Sequence, residues 1–196
     1  MIDNFKEIES LLEFKHPMDF VQLYIFKRKK DQIDKDNHQS VRTVKSYSIE
    51  SIEQLNKKKE EIIQLCELFK ARSYIHLSCH NHKDVGLLMI ETLAKRIREG
   101  NYSQRHLFDS IIGQMHTKDK KWIIDIDTKE NTFLLDVIET IEFKCRPEGY
   151  KCIETIDTKQ GFHLITKPFD MQEFKKYYPE IKKKKSNPTL LYYPNS

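Results

Sequence analysis

Apolar residues first recur at helical spacing over 4–14, at Phe5, Ile8, Leu11 and Leu12, until Pro17 disfavours helix at the residue before it. The period then shortens. β-Branched and aromatic residues over 20–30 and 41–49 flank a polar stretch at 31–40 and predict a hairpin with a long tip. Helical spacing returns over 49–69 through Ile52, Leu55, Ile62, Leu65 and Leu68, interrupted by the solvated run 57–61. A strand is predicted over 72–78. It is followed by an amphipathic helix over 82–99, with Val85, Leu88, Met89, Thr92, Leu93, Arg96 and Ile97 in register, stopped by Gly100-Asn101. A further helix is predicted over 104–114.

The second half reads as strand 121–127, helix 132–144, strand 150–157, strand 161–167, helix 171–178 and strand 189–193. That βαββαβ order is the ferredoxin-like, RRM-like unit, in which the first and third strands lie side by side and both helices cover one face. The expected fold is therefore α/β (α+β): an N-terminal α/β lobe over 1–118 and an RRM-like lobe over 119–196, forming one compact unit.

Composition narrows the classes. The chain has 196 residues, 38% of them apolar, which is enough for a real core, and its net charge is only +4, so a basic surface must come from local clustering of Lys and Arg. The four cysteines, Cys66, Cys79, Cys145 and Cys152, have no CxxC spacing, and no cationic stretch followed by an apolar run begins the chain. The expectation is a reduced, cytoplasmic protein. No apolar run approaches the about 18 residues that a membrane-spanning helix needs. With 5 glycines, a Gly-rich phosphate loop is not expected.

Candidate chemistry concentrates in Trp122-Ile-Ile-Asp-Ile-Asp127 and Gly161-Phe-His-Leu-Ile-Thr166. Strand alternation sends Asp125 and Asp127 one way and Trp122, Ile124 and Ile126 the other. If Phe162, Leu164 and Thr166 pack under the helices, His163 and Lys167 share the open face with the two aspartates. Two carboxylates one strand step apart can share Mg²⁺ or Mn²⁺, and a histidine and lysine beside them can meet the triphosphate that the metal bridges. The plainer alternatives are a helix cap for the aspartates, a satisfied core histidine at 163, and ordinary surface lysines at Lys159 and Lys167. The run 182–185 is either a solvated loop or a track for a phosphate backbone.

A second group, His76, Cys79, His80 and His82, has zinc-type donors but no matching second pair. His76 and Ser78 are instead expected to line the cleft between lobes, with His80 and Lys83 near a helix N-terminus that can receive a phosphate. His76-Leu-Ser78 also fits one copy of the paired motif of two-histidine phosphoesterases, whereas His163-Leu-Ile-Thr166 is one residue too long for the other. A third class is a binding module that stacks single-stranded nucleic acid on an RRM-like sheet, although the usual aromatic signature is missing.

Ile124-Asp-Ile-Asp127 paired with Gly161-Phe-His163, on an RRM-like unit behind an α/β lobe, resembles the archaeo-eukaryotic primase (primase-polymerase) superfamily, and in particular its small phage-encoded members. Tyr74-Ile-His-Leu-Ser-Cys-His80 and Lys159-Gln-Gly-Phe-His-Leu-Ile-Thr-Lys-Pro-Phe169 support the likeness. The resemblance implies a nucleotidyltransferase of DNA replication that moves a nucleotide from an NTP or dNTP to a 3′-hydroxyl. It implies Asp125 and Asp127 as metal ligands with catalytic roles and His163 on the nucleotide's phosphates. Lys159, Lys167 and His76 are further nucleotide-binding candidates. Implied partners are a nucleoside triphosphate, single-stranded or primed DNA, and replication or host proteins in a bacterial cytoplasm. Polymerising members carry a third acid on a later strand, whereas Thr189-Leu-Leu-Tyr-Tyr193 has none; Asp157 and Asp170 are the nearest acids, and Ser186 and Asn187 stand where one was sought. A non-catalytic nucleotide- or nucleic-acid-binding protein on the same scaffold is the alternative.

Overall fold

In a computed structural model describing residues 1–28, 42–115, 121–184 and 188–194, the predicted alternation of strands and helices becomes two antiparallel sheets and six helices. The hairpin tip at 31–40, the boundary at 118/119 and Ser186 and Asn187 lie outside the described residues. The hairpin pairs β2 (Asp19–Lys27) with β3 (Arg42–Ile49), and β4 (Arg72–His76) flanks β2 on its other side. A two-residue strand, β5 (His80–Asn81), extends the pairing to the start of β2. Helix α1 (Phe5–Leu11) stops short of residue 14 because the Asp19 carboxylate accepts the Lys15 and His16 N–H groups, at 3.0 Å each, and turns the chain. Ser51 caps α2 (Ile52–Phe69) by accepting from the Gln54 N–H, and Lys70 closes it in the left-handed region. Asn81 caps α3 (His82–Arg98) in the same way, and α4 (Leu107–Gln114) packs beside it.

The second sheet holds β6 (Trp122–Ile126), β7 (Cys152–Asp157), β8 (Phe162–Thr166) and β9 (Lys182–Lys184) in the order β7-β8-β6-β9. Helices α5 (Asn131–Lys144) and α6 (Met171–Lys175) lie on one face, where Trp122, Ile124, Ile126, Phe162 and Leu164 share a core with Leu134, Val137, Ile141 and Phe174. The predicted alternation therefore holds in β6 and β8. The opposite face is not open, however. Ile123, Ile156 and Ile165 join Phe5, Ile8, Leu23, Ile62 and Leu191 in the largest apolar cluster, so the two halves share one core.

The predicted fourth strand of this sheet is also elsewhere. Residues of β10 (Pro188–Tyr193) pair with β4 and with β1 (Ile2–Asp3), inside the first sheet, and β9 takes the expected position beside β6. The physical reason lies in the side chains. Leu190, Leu191, Tyr192 and Tyr193 are all buried, which suits a strand covered on both faces, whereas a lysine strand suits a sheet edge because its charges discourage further pairing. The run alternates as a strand should: Lys183 lies 3.6 Å from the Trp122 ring centre, and Lys184 points to the other face.

Gly161 is fixed by proximity. A Cβ there would lie 1.8 Å from the Ile126 carbonyl oxygen and 2.7 Å from the Thr128 nitrogen, both backbone atoms that cannot move aside without disturbing the β6–β8 pairing. Gly86, in contrast, lies within α3 with nothing near the place of a Cβ. Urea denaturation should show Gly161→Ala losing about 2 kcal/mol or more and Gly86→Ala gaining up to about 1 kcal/mol. A neutral Gly161→Ala would contradict the close approach.

Candidate functional site

The register of β6 against β8 places Asp125 directly opposite His163. Both line a polar cleft of about 260 Å³, together with Asp127 and Lys159 from the predicted set. The cleft also receives Arg28 from just after β2, Arg72 and Tyr74 from β4, and Lys184 from β9; Arg28 and Arg72 were not singled out from sequence, whereas Tyr74 lies in a motif of the resemblance and Lys184 in the run weighed as a phosphate track. Tyr74 stacks on Phe26, with ring centres 4.7 Å apart and planes 6° from parallel, and Arg28 lies 5.9 Å from the Tyr74 ring. Tyr193 anchors two of the cations: the Arg72 guanidinium lies 4.4 Å from its ring, and Lys159 donates to its hydroxyl at 2.9 Å.

Asp125 lies between two neighbours. One carboxylate oxygen is 3.2 Å from Lys184 Nζ, and the other is 3.3 Å from His163 Nε2. Lys184 Nζ is also 2.6 Å from His163 Nε2, and an ammonium can only donate, so Nε2 supplies a lone pair. His163 Nδ1 then carries the proton and donates to the buried Thr189 hydroxyl at 2.9 Å. Burial pushes the His163 pKa down, outweighing the upward pull of Asp125, which agrees with a neutral ring. Burial raises the Asp125 pKa, but the carboxyl is held below its ordinary value, with the Lys184 ammonium beside it favouring the charged form. Burial lowers Lys184 as well, against the pull of Asp125.

These contacts bear on the expected metal. Both oxygens of Asp125 face an imidazole or an ammonium, which leaves Asp127 as the one cleft carboxylate without such a pair of neighbours in the described contacts. Any metal shared by the two aspartates would therefore compete with the Lys184 ammonium for Asp125. Among the described residues, no three or more His, Cys, Asp or Glu side chains gather as a metal set.

The remaining predicted residues go elsewhere. Lys167 lies beyond the far end of β8, exposed, and its N–H donates to the Lys151 carbonyl. His76 shares the β4 face of Arg72 and Tyr74 but sits further along it, packed against Tyr24 and His80 with ring centres at 5.8 and 6.5 Å. Its companions separate too. Cys79 donates to the Glu13 carbonyl, while His82 stacks on Phe20 and reaches Glu50 at 3.0 Å. Asp157 pairs with Lys129 at 3.0 Å, and Asp170 caps α6. One clue to Arg72 was present in the sequence, where a charged residue opens a segment predicted as a strand and is followed by Ser73, Tyr74 and Ile75.

Comparison of the chain with protein-family models, curated proteins and solved structures finds no match. No helix among the described residues is long and apolar enough to cross a membrane.

Burial lowers the His76 pKa to about 4, helped by His80 nearby. The folded pKa is thus below the unfolded one, so the unfolded chain takes up protons first as pH falls, and stability is lost through the window from about 6.5 down to about 4. Denaturation at about pH 7 and about pH 4.5 should show His76→Gln losing about 2 to 3 kcal/mol less than the wild type between the two. Equal losses would place the titration elsewhere.

Proposed function

We propose that the cleft binds a nucleoside triphosphate, on a scaffold of primase-polymerase type whose second half is RRM-like. The observation that carries this reading is the convergence of Arg28, Arg72, Lys159 and Lys184 around Asp125, Asp127 and His163 in one polar cleft. A chain of phosphates needs several cations at fixed spacing, and guanidinium and ammonium groups donate charge-assisted hydrogen bonds to its oxygens. The strand order β7-β8-β6-β9, with both helices on one face, supports the RRM-like part of the reading.

Binding is favoured over two-metal phosphoryl transfer because Asp125 is already paired with the Lys184 ammonium. Nucleotidyl transfer to a 3′-hydroxyl is the second reading. It is favoured by the Asp125–His163 register pair, which sets the two motifs of the resemblance side by side with Asp127 in the same cleft. A two-histidine phosphoesterase is disfavoured, since His76 packs on Tyr24 and His80 while His163 belongs to the cleft.

Calorimetric titration with a nonhydrolysable nucleoside triphosphate tests the proposal. The wild type should bind, the matching nucleoside should bind at least about 10-fold more weakly, and Arg28→Ala/Lys159→Ala should lose at least about 10-fold in triphosphate affinity. A wild type that ignores the triphosphate, or prefers the nucleoside, would contradict it.

A further inference from the structure

We propose that Lys184 is a resident cation of the cleft, standing against Asp125 in place of a divalent metal, so that the site takes phosphate groups without Mg²⁺ or Mn²⁺. The phosphate part of this inference rests on the nucleotide-binding reading; the displacement of metal stands on geometry alone. Lys184 Nζ is 3.2 Å from Asp125 and 2.6 Å from His163, which is itself tied to Thr189 at 2.9 Å. The ammonium is thus held at two points, and the lone pair that positions it belongs to a ring fixed from behind by a buried hydroxyl.

The backbone fixes it as well. Lys184 lies opposite Ile123 in the β6–β9 pairing, so its side chain rises on the face of the sheet that Ile123 and Asp125 share. With about a quarter of the side chain exposed, the charge is partly removed from water, where its attraction to a phosphate is stronger than on an open surface. Four cations line the cleft against two carboxylates, and His163 is neutral, leaving a surplus of two positive charges. A divalent cation approaching Asp125 meets that surplus and must first displace an ammonium from the carboxylate. A polyphosphate meets the same surplus as attraction. His163 is therefore a positioning residue for Lys184, because its Nε2 has no hydrogen to offer a phosphate in this arrangement.

Two titrations of the intact chain test this. In the first, Mn²⁺ alone is titrated and followed by electron paramagnetic resonance. The wild type should bind none at the cleft, and stoichiometric Mn²⁺ binding that Asp125→Asn abolishes would overturn the proposal. In the second, the nonhydrolysable triphosphate is titrated in EDTA and again in Mn²⁺. Wild-type affinity should agree within about 3-fold between the two, Lys184→Met should lose at least about 10-fold in EDTA, and Lys184→Arg should stay within about 3-fold of the wild type. Binding that requires Mn²⁺, or a Lys184→Met variant that binds normally in EDTA, would overturn it. If the wild type binds triphosphate under neither condition, the nucleotide reading and the phosphate role fall together, and the Mn²⁺ arm alone decides whether Lys184 keeps metal out.

Discussion

Insertion of β10 between β1 and β4 is the constraint on which both the fold and the cleft depend. After forming the second sheet, the chain returns to become an inner strand of the first, and its first residues carry Thr189 to His163. Asn4 reinforces the junction from the other end of the chain, since its buried side-chain amide donates to the carbonyls of Leu190 and Asp157 at 2.9 Å each. Two sheets that could have been separate lobes are thereby joined through one core. The cleft is lined from both sheets, and its cations come from both: Arg28 and Arg72 from the first, Lys184 from the second.

The polar chain Thr189–His163–Lys184–Asp125 works because each member satisfies the next. A buried imidazole without partners loses the hydrogen bonds it had in water, and a half-buried ammonium without a carboxylate is costlier still. Here the ring donates at one nitrogen and accepts at the other, and the ammonium finds both a lone pair and a negative charge. Removing one member leaves the others short of a partner, so the group orients as a unit. That explains how a lysine on a three-residue edge strand can be held in one place, with its charge aimed into a cleft that also contains Lys159, Arg28 and Arg72.

Much of this was legible in the sequence, and the failures share a cause. Alternation in Trp122 to Ile126 and in Phe162 to Thr166 correctly separates the helix-covered face from the other, the hairpin and the long helices follow from local pattern, and the adjacency of Asp125 and His163 follows from the βαββαβ order. Sequence could not reveal that the face bearing Ile123 and Ile165 is covered, since a half-buried strand and a strand buried on both faces differ only in what arrives from elsewhere in the chain. The same gap explains the last strand. The βαββαβ order argued for Thr189 to Tyr193 as the last strand of the second sheet, yet their unbroken apolar character belongs to an inner strand, while Lys182–Lys184 pairs at the edge despite having no apolar residue. His76 was expected, with Ser78, to line the cleft between lobes. Position along the strand, which alternation does not report, puts it among Tyr24 and His80 instead.

A crystal structure of the protein with a nonhydrolysable nucleoside triphosphate and Mn²⁺ both supplied tests the central claim most directly. The account predicts phosphate oxygens within hydrogen-bonding distance of Lys184, Lys159 and Arg28, with Lys184 still paired to Asp125. A metal ion bridging Asp125 and Asp127, with Lys184 turned away, or a triphosphate bound outside the cleft, would contradict it.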